Sequence, residues 1–287
     1  MAKDTGFYSN ASLNLGGDLL PLRPALVMGI LNINPDSFYD GGKYASAQAA
    51  LNQALKMVAE GADIIDLGPA SSKPGEALIG PKEEWQRLEA VLNLLQAEAP
   101  HLKLSLDTYN AETADRALNL GVHMINDISG GSFDPAMFKT VARYKVPYVL
   151  MHIKGEPKNM GQKAQYDNIL MELSNYFSEK LEQLYALGLN DVILDPGFGF
   201  AKTVEQNYQL MANLEYFKAS FKNPLLVGIS RKSMISKFLN IDKTESLNAT
   251  SVLNGIALSK GADILRVHDV KEAREAVKIL TFTQNLA

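Results

Sequence analysis

Residues 185–200 read YALGLNDVILDPGFGF and contain, in one stretch, the repeating unit from which we predict the fold. Gly188 follows an amphipathic stretch, and glycine tolerates the left-handed conformation that ends many helices. The next run, Val192–Leu194, is short and apolar, as expected of a buried parallel strand. Asp195 and a glycine-rich loop come directly after it. The stretch therefore predicts a helix, a strand and a polar loop in succession.

The same unit recurs along the chain. Short apolar runs alternate with amphipathic helical patterns, and further glycines mark helix ends at Gly61, Gly121 and Gly261. The eight predicted strands are Ala25–Leu31, Asp63–Leu67, Lys103–Leu106, His123–Asn126, Tyr148–Met151, Val192–Leu194, Leu225–Ile229 and Asp263–Val267. Eight such units predict an α/β fold, a single (β/α)8 TIM barrel. The rival arrangement is an open doubly wound sheet, but no G-x-G-x-x-G dinucleotide turn follows the first strand.

The residues before the first predicted strand alternate apolar and polar side chains around Gly16-Gly17. This pattern predicts a β-hairpin at about residues 12–24. We predict one domain over residues 1–287, with the barrel at about residues 25–283. The hairpin is expected to cover the bottom of the barrel, opposite its active-site mouth.

Composition excludes several classes of protein. Of the 287 residues, 46% are hydrophobic and 21% charged, which is ordinary for a globular domain. The net charge is −4 and the basic residues are scattered, so we expect no nucleic-acid partner and no acidic membrane surface. The chain has no cysteine, which excludes disulfides and thiolate chemistry and suits the cytoplasm. No apolar run approaches the roughly 18 residues of a membrane span.

Polar residues follow most of the predicted strands, and in a barrel the carboxyl ends of the strands form the active site. Asp107, Asn126 and Asp195 end the third, fourth and sixth strands. Two carboxylates and an amide can pair with the donor edge of an aminopyrimidinone ring, so we predict a pterin site. The alternative for such an aspartate, Asp107 above all, is a helix N-cap.

Two further groups of strand-end residues suggest an anionic substrate. Asn32 begins a long loop rich in oxygen atoms and could bind Mg²⁺, although a simple Asn/Pro/Asp turn is the alternative. Arg266 and His268 lie on one face of the last strand and could bind a diphosphate, as loops after strands seven and eight often do. The alternative is that Arg266 only pairs with a neighbouring carboxylate. Asp66 and His152 are expected in supporting positions.

Six motifs in this order resemble the dihydropteroate synthase family. They are GILNINPDSF at 29–38, NDI at 126–128, MHIKG at 151–155, DPGFGF at 195–200, SRKS at 230–233 and RVHDV at 266–270. The resemblance covers about residues 12–283. It implies condensation of (7,8-dihydropterin-6-yl)methyl diphosphate with 4-aminobenzoate to give 7,8-dihydropteroate and diphosphate, a step of folate synthesis. It also implies Mg²⁺ as cofactor and a homodimer formed through the last helices.

The resemblance also implies a role for each site residue. The pterin diphosphate would be bound by Ser72, Asp107, Asn126, Asp195, Lys232, Arg266 and His268. The 4-aminobenzoate would be bound by Phe38, Ser72, Lys73, Pro74, Phe200, Ser230 and Lys232. Asn32 would bind Mg²⁺ and, with Lys232, Arg266 and His268, would form the catalytic set.

Two other functions stay open on the sequence. A methyltransferase acting on a methyl-tetrahydrofolate would share the aspartate and asparagine grip on a pterin, but it would need neither Arg266 nor His268 at a diphosphate site. A non-catalytic pterin-binding paralogue would have lost Asn32, Lys232 or Arg266, and all three are present.

The loop after the second predicted strand, GPASSKPG at residues 68–75, departs from the usual family sequence GESTRPG. It resembles the corresponding loop of sulfonamide-resistant members. Lys73 keeps the positive charge of the usual arginine but loses its planar fork. The loop at residues 197–203 keeps the ordinary form. We therefore predict an active, sulfonamide-sensitive enzyme. Sulfonamide inhibition constants close to the KM for 4-aminobenzoate are the expected result, and constants far above that KM would contradict it.

Overall fold

The computed structural model describes residues 11–33, 43–69 and 75–286. Within them the chain forms ten β-strands and ten α-helices. The strands are β1 (Ser12–Leu15), β2 (Asp18–Pro21), β3 (Leu26–Asn32), β4 (Ile64–Gly68), β5 (Leu104–Asp107), β6 (Met124–Asp127), β7 (Tyr148–Met151), β8 (Val192–Asp195), β9 (Leu226–Val227) and β10 (Ile264–Val267). The helices are α1 (Lys43–Glu60), α2 (Pro81–Glu98), α3 (Ala111–Asn119), α4 (Met137–Tyr144), α5 (Ile169–Ala186), α6 (Val204–Ala212), α7 (Leu214–Ser220), α8 (Ser233–Leu239), α9 (Leu247–Ser259) and α10 (Val270–Gln284).

Strands β3 to β10 form one parallel sheet, in which strands that are consecutive in sequence lie side by side. The last strand, β10, pairs with the first, β3. The remaining gap, between β8 and β9, is bridged by Leu194 and Leu225, and the Leu194 N–H donates to the Pro224 carbonyl at 2.8 Å. The sheet is therefore a barrel with helices between its strands, as predicted.

The seventh barrel strand is shorter than predicted. The ladder of β9 ends at Val227 instead of Ile229. The reason is a turn: the Lys232 N–H donates to the Ile229 carbonyl, and Arg231 has a φ of 56°. The backbone leaves the sheet there, and the turn leaves residues 228–230 buried while Arg231 is exposed.

Two apolar layers pack against the sheet, because successive side chains of a strand point to opposite faces. The outward layer joins strands to helices, as in the contact of Ile65 and Leu67 with the cluster that contains Leu88 and Leu92. The inward layer fills the barrel and includes Met28, Ile64, Met124, Val149 and Ile193.

The N-terminal hairpin completes the inward layer. Strands β1 and β2 pair antiparallel around Gly16 and Gly17, whose φ angles are 66° and 94°. Leu13 and Leu15 are buried against the first residues of the barrel strands, whereas Leu19 is 69% exposed. The predicted hairpin at the barrel bottom is thus confirmed, with its ladder at residues 12–21. Among the described helices none is long and apolar enough to cross a membrane.

The hairpin gives a test of the barrel core. Leu15→Ala should lower the free energy of unfolding by about 3 kcal/mol, because the buried side chain leaves a cavity at the barrel bottom. Leu19→Ala, in the same hairpin but exposed, should change it by no more than about 0.5 kcal/mol. Chemical denaturation measures both. Equal effects of the two substitutions would show that the hairpin does not plug the barrel.

Candidate active site

Three strand ends bring polar side chains together at the barrel mouth. Asp107 and Asn126 are neighbours in the ladder between β5 and β6, and Asp195 ends β8. Asn126 and Asp195 are buried, and the Asp107 side chain is 12% exposed. The helix-capping alternative for Asp107 is wrong, because the N-cap of α3 is Asn110, three residues later.

Arg266 pairs with carboxylates of two neighbouring strands, β4 and β5. Its Nε donates to Asp66 Oδ2 at 2.6 Å, and its Nη2 donates to Asp107 Oδ2 at 2.6 Å. Asp66 lies on β4 and is fully buried. Arg266 thus pairs with two carboxylates, and its guanidinium lies inside the mouth, so the pairing does not exclude the predicted role in diphosphate binding.

Asp66 also fixes the orientation of Asn126. The Asn126 Nδ2 donates to Asp66 Oδ2 at 2.9 Å. An ionised carboxylate only accepts hydrogen bonds, so the amide nitrogen must face Asp66 and the carbonyl oxygen must point away. The carboxylates of Asp107 and Asp195 and the side-chain amide oxygen of Asn126 consequently offer acceptors at one mouth.

Burial sets the electrostatics of these groups. It raises the pKa of Asp107, which the charge of Arg266 opposes, and it raises the pKa of Asp195, which a hydrogen bond from the Gly197 N–H opposes. Burial also lowers the pKa of Lys232 to about 8, with Asp195 opposing. The mouth therefore holds carboxylates and cations that depend on one another for their charged forms.

Lys232 and Phe200 form an aromatic and cationic wall beside these acceptors. The Lys232 ammonium donates to the Phe198 carbonyl at 2.5 Å and lies 4.0 Å from the centre of the Phe200 ring. Phe200 is 7% exposed and packs in an apolar cluster with Tyr109, Met151 and other residues of the mouth. This arrangement fits a cation–π contact and a flat, apolar surface for a ring-shaped ligand.

Ser230 and His268 stand together at the rim. The Ser230 Oγ lies 3.1 Å from His268 Nδ1 and accepts the His268 backbone N–H at 3.2 Å. The pKa of His268 is lowered to about 4, first by desolvation among the surrounding protein atoms and then by Arg266. His268 is thus neutral at pH 7 and can donate one N–H to a ligand.

The other predicted residues divide into two groups. Asn32 is exposed at the end of β3, with its Oδ1 over Gly68, the neighbouring residue in the ladder. His152 is buried, as expected of a supporting residue. Phe38, Ser72, Lys73 and Pro74 lie outside the described residues.

Sequence reasoning assigned no role to Lys202, which the structure brings to the site. Its Nζ contacts His152 Nδ1 at 3.1 Å and the carbonyl oxygens of Gly197 and Phe200 at 3.0 Å. The only signal in the sequence is a lysine directly after the GFGFA segment.

Comparison with known proteins agrees with this geometry. The model of the family described as "Pterin binding enzyme" matches residues 28–268. The dihydropteroate synthase of Synechocystis sp. is 42% identical over 256 residues, 88% of this chain and 88% of that protein. The dihydropteroate synthase of Escherichia coli (strain K12) is 40% identical over 269 residues, 93% and 94% of the two chains.

The fold gives the same result. The crystal structure of the Yersinia pestis dihydropteroate synthase with a sulfonamide drug complex matches with a TM-score of 0.89 and 38% sequence identity. The match covers 96% of this chain and 100% of that chain.

The buried ion pairs of Arg266 can be tested by stability. Asp66→Asn keeps the shape of the side chain and removes its charge, so the free energy of unfolding should fall by about 3 kcal/mol, as when one partner of a buried pair is lost. Glu215→Gln removes the partner of Lys260 at the surface and should leave stability unchanged. Urea denaturation distinguishes the two, and an unaffected Asp66→Asn protein would exclude Asp66 as the partner that holds Arg266.

Proposed function

The chain belongs to the dihydropteroate synthase family and is a transferase of folate synthesis, and from this premise we propose that its barrel mouth divides into three subsites. One binds the pterin ring, one the departing diphosphate and one 4-aminobenzoate. The observation that carries the proposal is the set of three largely buried acceptors at the strand ends, beside a lysine and an aromatic ring.

The pterin subsite uses Asp107, Asn126 and Asp195. The 2-amino group and ring N–H groups of a dihydropterin are donors, and they match three acceptors that burial shields from water. The bond between Asn126 and Asp66 supports this assignment, because it turns the amide oxygen of Asn126 towards the ligand. Lys232 adds a donor for an acceptor atom of the ring.

The reaction needs stabilisation of negative charge more than a strong base. The neutral arylamine nitrogen attacks the methylene carbon, the carbon–oxygen bond breaks, and diphosphate leaves with the electron pair while the amine loses a proton. Arg266 offers a cationic guanidinium near the departing oxygens, and His268, neutral at pH 7, offers an N–H. Ser230 fixes the ring of His268 through Nδ1.

Asn32 is the residue that would hold Mg²⁺. Its amide oxygen is a hard donor at the mouth, and Mg²⁺ bound to a diphosphate keeps several waters and needs few protein ligands. The described residues contain no cluster of three or more acidic or histidine side chains that could hold a metal by themselves. A bound Mg²⁺ would neutralise the charge that develops on diphosphate.

The aminobenzoate subsite uses Phe200, Lys232 and Ser230. The Phe200 ring supplies an apolar face, and the Lys232 ammonium above it supplies a positive charge for the carboxylate of the substrate. Contributions from Phe38, Ser72, Lys73 and Pro74 remain predictions from the family resemblance.

The function can be tested by release of diphosphate. Purified protein supplied with pterin diphosphate and 4-aminobenzoate should release one diphosphate for each dihydropteroate formed, and chelation of Mg²⁺ should slow the reaction at least about tenfold if the metal stabilises the leaving group. Replacing 4-aminobenzoate with benzoate, which lacks the nucleophile, is the control. No turnover by folded protein would reject the function, and a rate unchanged by chelation would reject the metal.

We also propose a homodimer formed through α8, α9 and α10. Large apolar side chains are exposed on these helices: Phe238, Val252, Ile279 and Phe282 are 56–68% exposed. Helices α9 and α10 pack side by side, so their exposed residues lie on neighbouring surfaces. Exposed apolar surface of this kind is typical of a contact between protein chains.

Sedimentation tests the dimer. The wild-type protein should sediment as a dimer at micromolar concentration, and Phe282→Asp should shift it to monomer by placing a charge in the apolar contact. Leu19→Asp, on the exposed side of the hairpin, should leave the dimer intact. A monomeric wild type, or a dimeric Phe282→Asp protein, would contradict the proposed contact.

A further inference from the structure

Lys202 belongs to the β8–α6 loop, residues 196–203, and its side chain folds back against the backbone of the same loop. Its ammonium contacts two carbonyls of the loop, those of Gly197 and Phe200, at 3.0 Å each. It also contacts His152 at Nδ1, at 3.1 Å, and more distantly the His152 carbonyl, at 3.5 Å. One cation thus ties the loop to the end of strand β7.

A third carbonyl of the loop bonds to Lys232 instead. The Phe198 carbonyl accepts from the Lys232 ammonium at 2.5 Å, and a Cβ on Gly199 would lie 2.9 Å from Lys232 Cδ. The carbonyls of Gly197 and Phe200 therefore point to one lysine and that of Phe198 to the other. Because Phe200 belongs to this loop, the conformation of the backbone between the two lysines determines the position of the Phe200 ring.

The loop does not hold this path by its own preferences. Gly197 and Gly199 have φ angles of 71° and 79°, and Ala201 has a φ of 49°, which is unfavourable for a residue with a Cβ. A conformation of this kind persists only where surrounding contacts impose it. Lys202 supplies two such contacts directly, and the hydroxyl of Tyr166 donates to the Ala201 carbonyl at 3.0 Å.

His152 is a fixed anchor for Lys202. Its ring packs edge-on against Tyr176, with centroids 4.9 Å apart, and lies 6.0 Å from Tyr166. Burial holds the pKa of His152 well below its usual range, and Lys202 and Lys154 reinforce this effect, so the imidazole is neutral. Because an ammonium only donates, Nδ1 must be the unprotonated nitrogen that accepts from Lys202.

The donors and acceptors of Lys202 match in number when it is protonated. Three N–H groups meet His152 Nδ1 and the two loop carbonyls. Burial lowers the pKa of Lys202 to about 7, Asp195 opposes this effect, and Lys232 and Lys154 add to it. Two carbonyl oxygens and an imidazole nitrogen thus satisfy this ammonium, and among the described residues no carboxylate bonds to it directly.

We propose that Lys202 is a positioning residue for the aminobenzoate subsite. It holds the β8–α6 loop so that the Phe200 ring and the Phe198 carbonyl, which accepts from Lys232, keep their positions. The proposal rests on the proposed function of this mouth. Asp107 and Asn126 lie on barrel strands outside the loop. Asp195 accepts the Gly197 N–H of the loop, but its backbone is fixed by the ladder between β7 and β8. Loss of Lys202 should therefore affect 4-aminobenzoate far more than the pterin.

The test is Lys202→Met, which keeps the length of the side chain and removes its donors. The KM for 4-aminobenzoate should rise about tenfold or more, because misplacing groups that orient a substrate is costly. The Kd for pterin diphosphate, measured by calorimetry without the second substrate, should change by less than about threefold, which separates the two subsites. Lys202→Arg, which keeps a cation, should recover part of the loss.

Lys218→Met is the matched control. Lys218 is also partly buried and bonds to buried Asp263 at 2.7 Å, at the other end of the barrel. Its loss should lower stability and leave both substrate affinities unchanged. An unchanged KM in folded Lys202→Met, or an equal loss of both affinities, would overturn the proposal.

A second readout does not depend on turnover. Hydrogen exchange of the Gly199 and Phe200 amides should quicken in Lys202→Met, since these amides are protected within the loop by Asn207 Oδ1 and the Gly197 carbonyl. Unchanged exchange would also overturn the proposal. If the wild-type protein catalysed no condensation, the proposed function would fail, and this measurement would still decide whether Lys202 holds the loop.

Discussion

Arg266 carries a positive charge into the barrel, and a buried charge is stable only where partners replace its water. Asp66 and Asp107 are those partners, each at 2.6 Å. Through the same oxygen that accepts from Arg266, Asp66 orients the amide of Asn126. The acceptor pattern proposed for the pterin therefore follows from the need to neutralise one guanidinium.

Barrel closure makes this arrangement possible. Arg266 is 200 residues from Asp66 and 159 from Asp107 along the chain, and it reaches them because β10 pairs with β3 and β3 with β4. The pairing also places the hairpin leucines against the bottom of the same barrel. The apolar core below and the ion pairs above thus depend on one closed sheet, and a change in strand register would disrupt both.

The sequence predicts the parts of the site that depend on local pattern. A strand end is visible in the sequence as a polar residue after an apolar run, so Asp107, Asn126 and Asp195 can be placed at the mouth from the sequence alone. The predictions of the barrel and of the hairpin are confirmed for the same reason, because both depend on local pattern. Partnerships are not visible in this way. Pairing of Arg266 with carboxylates appeared as an alternative to a diphosphate role, yet a paired guanidinium inside the mouth can serve both. The role of Lys202 could not be predicted, because two of its partners are backbone carbonyls, which every residue has, and the third, His152, is 50 residues away along the chain.

The two lysines explain how a chain of net charge −4 can favour anionic substrates. A lysine paired with a carboxylate contributes little field, whereas carbonyl dipoles satisfy the donors of an ammonium without cancelling its charge. Lys232 and Lys202 both bond to carbonyls of the β8–α6 loop. The loop can therefore keep the charge of Lys232 beside a mouth whose proposed substrates bear a carboxylate and a diphosphate. Lys202, whose pKa burial lowers to about 7, adds to this charge in its protonated form. Scattered surface residues thus determine the net charge of the protein, whereas this loop contributes to the local charge at the mouth.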